Sequence, residues 1–340
     1  VADRPGQRRR AGRPGRDVRR RGDLTVAGPA RPPTTTAAQA RLVEEVLGWG
    51  APRPSVAPDL VERLLARTTA AVGAWLAARE AAARTAPLVV TKTRLSRLAC
   101  DGLQRDPEPY VHAWANARGT LAHAAIEQDV DGARGEPAER VAAAAWHRLA
   151  SDRPGDPTSL ASWLNVRPPD ERDRMVGEVA GLLAAFREVW PDLDVPGLRV
   201  VAEGRVRTHL GGRAVRLQGV PDLMVTSAAR DGRARTLVVD LKTGMPRGQQ
   251  ERDELRFYAL LLTLRDGVPP FRWATLHVTE GRVEAEDLSE AVLATAADRV
   301  ADAILQAARM LPGPEADELR GGGWCRGCRR RSDCPVAPAE

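Results

Sequence analysis

The stretch Leu237-Val238-Val239-Asp240-Leu241-Lys242-Thr243-Gly244 decides how this chain is read, together with Gly219-Val220-Pro221-Asp222 upstream. An apolar run with two β-branched valines leads into Asp240 and marks a strand over 235–242. Alternate residues of a strand share a face, so Asp240 and Lys242 project together while Leu241 points the other way. Pro221 ends or interrupts an earlier strand and leaves Asp222 beside it. If the two strands pair, Asp222 reaches the same patch. Two carboxylates and the Leu241 backbone carbonyl then make a hard oxygen site suited to Mg2+ or Mn2+. A lysine next to such a site can orient a water and support negative charge building on a phosphate. Phosphodiester hydrolysis needs those parts; the competing reading is a surface Asp–Lys pair at a strand end.

Lysine is otherwise nearly absent. Of 51 basic residues in 340, only Lys92 and Lys242 are lysine and the other 49 are arginine. GC-rich coding explains such a bias, and a lysine that persists can mark a place where a compact ammonium is needed. The formal charge of +6, from 51 basic against 45 acidic residues, suggests an acidic partner such as nucleic acid. Residues 1–31, however, hold ten arginines and three aspartates, a net +7, which leaves residues 32–340 at about −1. This Gly/Pro/Arg-rich head has no hydrophobic periodicity, so residues 1–36 read as a disordered basic segment. It is either a solvated tail, even upstream sequence translated from a misjudged start, or an arm that anchors DNA. Hydrophobic content of 43% fits a soluble globular protein. No apolar run suits a membrane span or a signal core, which points to a cytoplasmic protein with no membrane partner.

Helical spacing covers 37–48 and 58–86, where Asp59 reads as a cap and Val61, Leu64, Leu65, Val72 and Trp75 as an apolar stripe. A short strand at 87–91 leads into Lys92 and a helix carrying Cys100, and further helices read at 117–130, 136–151 and 170–190. The period then changes. Stretches 199–209 and 213–226 alternate around Gly211-Gly212, a hairpin signal, and the Asp231-Gly232 turn leads into the strand at 235–242. A helix at 248–265, a strand at 271–279 and a helix at 287–311 follow. Helices, a hairpin, then strand–helix–strand indicate an α/β fold with a mixed sheet flanked by helices. No phosphate loop of the motor type is present.

These motifs resemble the PD-(D/E)XK nuclease superfamily, whose pattern is a Pro-Asp, a spacer and Asp/Glu-x-Lys, matched by Pro221-Asp222 and Asp240-Leu241-Lys242. Gly119-Thr120-Leu121-Ala122-His123 is similar to the Gly-x-x-x-His helix of the RecB-type branch, which includes the AddB nuclease domain and CRISPR-associated adaptation nucleases. The resemblance implies a restriction-endonuclease-like fold over 91–335, preceded by a helical region at 37–90. It also implies Asp222, Asp240 and Lys242 as catalytic residues, and a metal held by His123, Asp222, Asp240 and the Leu241 carbonyl. Glu254-Leu255-Arg256-Phe257-Tyr258 stands where that branch has Gln-x-x-x-Tyr, with glutamate in place of glutamine. Tyr258 is then expected near the DNA backbone or orienting Lys242, and Glu254 bonded to an arginine or supporting the metal shell. Glu203 falls where relatives often carry an acidic residue. His112, His147, His209 and His277 have no such context.

Cys325-x2-Cys328-x5-Cys334 lies far from the remaining cysteine, Cys100. The spacing alone allows zinc or an iron–sulfur cluster. The one-plus-three layout resembles iron–sulfur RecB-type nucleases and favours a 4Fe–4S cluster that closes the domain through 320–335. Lys92 and Ser96 fit a segment lying along DNA, and Arg329 and Arg330 either hold phosphates or are solvated. The implied activity is a metal-dependent deoxyribonuclease, an exonuclease more than an endonuclease, on single-stranded DNA or DNA ends in repair, recombination or defence. A helicase or other subunit would act in trans. The alternatives are a catalytically inactive DNA-binding scaffold subunit and an RNA-directed or toxin-like nuclease.

Overall fold

Chain entry is helical. α1 (Ala37–Arg41) is capped by Thr36, whose hydroxyl accepts the Gln39 amide at 3.0 Å, and runs into a π-turn at Leu42–Val46. α2 (Leu60–Ala81) buries Leu64, Val72 and Trp75, whereas Leu65 faces solvent. Asp59 does not cap this helix through its side chain; its carboxylate pairs with Arg63 instead. After β1 (Leu88–Val90) come α3 (Trp114–Gln128), α4 (Ala138–Ala150), α5 (Leu160–Asn165) and α6 (Pro169–Val189). The one-and-a-half turns of α5 lie in a stretch that reads as a break. Ser159 starts them by accepting the Ser162 amide at 3.2 Å.

The two long strands read at 199–209 and 213–226 are four in the structure: β2 (Leu198–Ala202), β3 (Val206–Leu210), β4 (Val215–Gly219) and β5 (Leu223–Ser227). β3 pairs with β4 from Leu210↔Val215 to Val206↔Gly219, and β2 pairs with β5 from Ala202↔Leu223 to Leu198↔Ser227. Three residues on each side, 203–205 and 220–222, separate the two ladders. The hairpin is therefore one ribbon, broken at matched positions so that its halves join different sheets. Pro221 supplies the break on one side. On the other, Glu203 adopts a left-handed φ of 47°, which costs a non-glycine residue about 1–2 kcal/mol.

β6 (Thr236–Lys242), α7 (Gln249–Asp266), β7 (Arg272–His277), β8 (Arg282–Asp287) and α8 (Glu290–Met310) complete the described chain. β8 is mostly exposed and carries Arg282, Glu284, Glu286 and Asp287, so its apolar alternation is too faint to read; such charge is common on an edge strand. The sheets are β1-β4-β3 and β2-β5-β6-β7-β8, with β6 and β7 parallel across the α7 crossover. These statements concern residues 30–92, 95, 114–152, 159–227, 233–244, 249–311, Ser332, Cys334 and Val336, which the computed structural model describes. The basic head through residue 29, the Cys100 segment, the Asp231-Gly232 turn, and Cys325, Cys328, Arg329 and Arg330 lie outside them.

β6 divides the core in two. Leu237, Val239 and Leu241 pack with α3, α4 and α6, while Val238 packs on the other side with α2, α7, α8 and the three-stranded sheet. Asp240 and Lys242 share the face of Val238 by the two-residue period. The smaller sheet is held against α7 by close approach at Gly219, where a Cβ would collide with the Tyr258 ring. The Tyr258 hydroxyl donates to the Val220 carbonyl at 2.9 Å and fixes the broken ribbon to α7. Gly219→Ala is expected to lower stability by about 1–3 kcal/mol in urea unfolding, because the ring must move and lose that bond. A change below about 0.5 kcal/mol would contradict the close contact.

Candidate active site

The break in the ribbon is where the acidic residues meet. Continuing the β5–β6 register would set Pro221 opposite Leu241, but the ladder stops at Leu223↔Val239. The Asp222 carboxylate takes the vacated place, its Oδ2 accepting the Leu241 N–H at 2.6 Å. N–H and C=O of one strand residue point to the same side, so the Leu241 carbonyl faces the same break. Pro221 has no N–H to offer it. On the opposite branch the Glu203 N–H donates to the Asp222 carbonyl at 2.8 Å, which holds the two sides together.

α3 brings His123. At Gly119, one turn earlier, a Cβ would stand 3.1 Å from Thr243 Oγ1, so the helix sits close on the end of β6. His123 Nδ1 lies 3.2 Å from Glu203 Oε1 and 3.5 Å from Asp222 Oδ1. Ligand-capable atoms of these three residues fall within 4.8 Å of one another. Beside them Asp240, only 1% exposed, is held by both lysines of the chain: Lys242 Nζ at 2.6 Å from Oδ2 and Lys92 Nζ at 3.1 Å from Oδ1. Glu254 Oε2 closes the cluster at 3.4 Å from Lys92 and 3.8 Å from Lys242. All but Glu254 border one cleft of about 1040 Å3, and Arg118, Arg148 and Arg205 stand on its walls.

Over residues 92–335 the sequence matches the family described as the PD-(D/E)XK nuclease superfamily. The chain belongs to that superfamily. Its nucleases use divalent metals such as Mg2+ or Mn2+, and the mixed α/β architecture with helices on both faces is that of a restriction-endonuclease-like fold. No curated protein matches the chain in sequence. A crystal structure of SSO0001 aligns with 73% of this chain and 96% of its own, at 14% identity and a TM-score of 0.27, too distant to bear on the fold.

As a PD-(D/E)XK site the cluster is electrostatically suited to a divalent cation. Four carboxylates (Glu203, Asp222, Asp240, Glu254) face the two lysine ammoniums and the His123 imidazole. Burial works against charge on His123, but Asp222 and Glu203 overcome it and push its pKa up to about 10, so a proton bridges the carboxylates. Exchanging that proton for a divalent cation would bring the cluster from one excess negative charge to neutrality. The donor set of imidazole nitrogen and carboxylate oxygen suits Mn2+ and Mg2+. Burial and the Asp222 charge raise the Asp240 carboxyl despite the lysines. Burial likewise opposes the charge on Asp222, yet His123, Lys92 and the Leu241 amide hold it below the usual range. Lys92 is also desolvated, and the surrounding anions more than compensate, so its pKa is raised.

The residues expected from the sequence thus gather in part. His123, Asp222, Asp240, Lys242 and the Leu241 backbone meet at the break. Lys92 belongs to the cluster, 5.1 Å over the Tyr258 ring, and borders the cleft. Tyr258 is 2% exposed, borders the cleft, and donates its hydroxyl to Val220, so it supports the site by holding the ribbon. Burial is the first reason its pKa is pushed up to about 12. Glu254 contacts the two lysines that hold Asp240. Of the cysteines only Cys334, half-buried, lies among the described residues. Reading the sequence missed Arg118, Arg148 and Arg205 on the cleft wall. Arginine is so abundant here that no local signal marked them.

Proposed function

We propose that the chain is a metal-dependent deoxyribonuclease that hydrolyses phosphodiester bonds of single-stranded DNA or DNA ends. The observation that carries this reading is the gathering of Asp222, Asp240, His123 and Glu203 with Lys242 at one strand break, open to a cleft of about 1040 Å3. A divalent cation, when bound, supplies Lewis acidity at the phosphoryl group. His123, Asp222 and Glu203 would hold it, and Asp240 and the Leu241 carbonyl would add oxygen donors. Lys242 orients the attacking water and supports the charge that builds on the phosphate. The water oxygen bonds to phosphorus as the P–O bond to the leaving nucleoside breaks; the water gives up one proton to solvent and the leaving oxygen takes one from solvent, so the step balances as hydrolysis. Lys92 and Glu254 keep Asp240 and Lys242 in place, and Tyr258 fixes the ribbon that carries Asp222.

The Gly119–His123 and Glu254–Tyr258 patterns support the RecB-type branch, and with it exonuclease action at ends and a helicase partner in trans. Within that branch residues 91–335 form the nuclease domain and 37–90 a helical region before it. Cys100, Cys325, Cys328 and Cys334 then hold a 4Fe–4S cluster that ties the C-terminal segment to the segment carrying Cys100, much as a long-range crosslink would.

With Mg2+ or Mn2+, purified protein should degrade labelled single-stranded DNA, EDTA should stop it, and Lys242→Ala should slow it by about a hundredfold or more. Equal inactivity of wild type and variant on ends, flaps and circles would instead make the chain a DNA-binding scaffold. Freshly purified protein should be brown with broad visible absorbance and bind iron; a colourless protein with stoichiometric zinc would overturn the cluster.

A further inference from the structure

A second cavity of about 540 Å3 opens on the same face of the five-stranded sheet, toward the start of β6. Arg199 on β2, Arg205 in the ribbon break, Arg235 before β6 and Arg265 at the end of α7 line it. One carboxylate, Asp266, lies among them and is bound bidentately by Arg265, with oxygens at 2.5 and 2.6 Å. The lining is therefore three positive charges in excess. Arg199 and Arg205 are exposed and form no ion pair with a carboxylate among the described residues. The body of the protein, residues 32–340, is close to neutral, so this concentration is local. The floor adds hydroxyls: Thr226 and Thr236 face each other across β5 and β6 with their oxygens 3.1 Å apart.

Three features join this cavity to the catalytic cleft. Arg205 borders both. On α7, Tyr258 lines the cleft while Leu262 and Arg265 line the cavity, and the spacings of four and three place them along one helical face. On β6, Thr236 and Asp240 share a face and lie four residues apart, about 13 Å along the strand. Guanidinium groups bind phosphate oxygens in pairs and cannot lose their charge, and threonine hydroxyls add neutral donors. Among the described residues, none in the lining offers an aromatic face for a base.

We propose that this arginine-lined cavity is a second phosphate-binding subsite, which takes backbone phosphodiesters of the strand beyond the bond being cut. The proposal rests on the nuclease reading only for the identity of the strand. Its consequence is a length dependence: strands that reach from the cleft to the cavity bind more tightly than those that fill the cleft alone.

The test compares oligothymidylates of about four and about sixteen nucleotides by fluorescence anisotropy in EDTA, over a range of salt. Wild-type protein is set against Arg199→Gln/Arg235→Gln, and cleavage of the short strand is measured separately with Mn2+. The double variant should lose on the order of tenfold in affinity for the long strand, with its salt slope reduced by about 0.7 for each lost phosphate contact. Short-strand binding and cleavage should be unchanged, and Arg199→Lys/Arg235→Lys should restore most of the slope. Should the double variant misfold, Arg199→Gln alone, at an exposed edge-strand position, carries the test with half the slope change. Unchanged long-strand affinity and slope would overturn the subsite even if the wild type cleaves DNA. Reduced affinity in a protein that cleaves nothing would uphold the subsite and refute the nuclease. A 5′-mononucleotide that binds wild type but not the variant, with long-strand binding unaltered, would make the cavity a nucleotide site and overturn the strand path.

Discussion

Two neighbouring carboxylates, Asp222 and Asp240, are buried to 7% and 1% exposure, and the surroundings of both are arranged to make that tolerable. Burying a carboxylate without partners is costly, and a second one nearby adds repulsion. Asp222 is compensated by a backbone amide and the His123 imidazolium, and Asp240 by the only two lysines of the chain. The partners come from α3, the segment after β1, and β6, so the site exists only when elements distant in sequence have packed. Counted with Glu203 and Glu254, the cluster keeps one negative charge in excess, and that is what a divalent cation answers.

The scaffold that imposes this proximity is a broken ribbon. Matched breaks at 203–205 and 220–222 let one hairpin serve two sheets, and they leave backbone and carboxylate groups unpaired by ladder bonds. Glu203 bears a left-handed backbone there, a conformation that tertiary contacts must hold. Tyr258 secures one side of the break through Val220, and the missing side chain at Gly219 lets the ring come close. Gly119 does the same for α3 against Thr243. Two glycines thus set how near the helices come to the strand ends.

Much of this was legible in the sequence because it depends on local periods. The alternation along β6 separated Leu241 from Asp240 and Lys242, and the near-absence of lysine drew attention to Lys242 and Lys92. What was not legible depends on pairing. Alternation continues through Glu203-Gly204-Arg205, so one long strand was read where the chain changes sheets. β8 was hidden by its charges, and α5 by the prolines around it. The roles of Glu254 and Lys92 also required the third dimension: a glutamate at a position usual for glutamine is unfavourable beside phosphate, but it is well placed between two ammoniums.

The central claim is that the ribbon break forms a cation site from Asp222, His123 and Glu203, with the lysines supporting Asp240 beside it. Electron paramagnetic resonance of free Mn2+, titrated against metal-free protein, reads that site without any substrate. Wild type should take up Mn2+ stoichiometrically, Lys242→Ala should retain the uptake, and Asp222→Asn should abolish it. Uptake by Asp222→Asn equal to wild type would contradict the account.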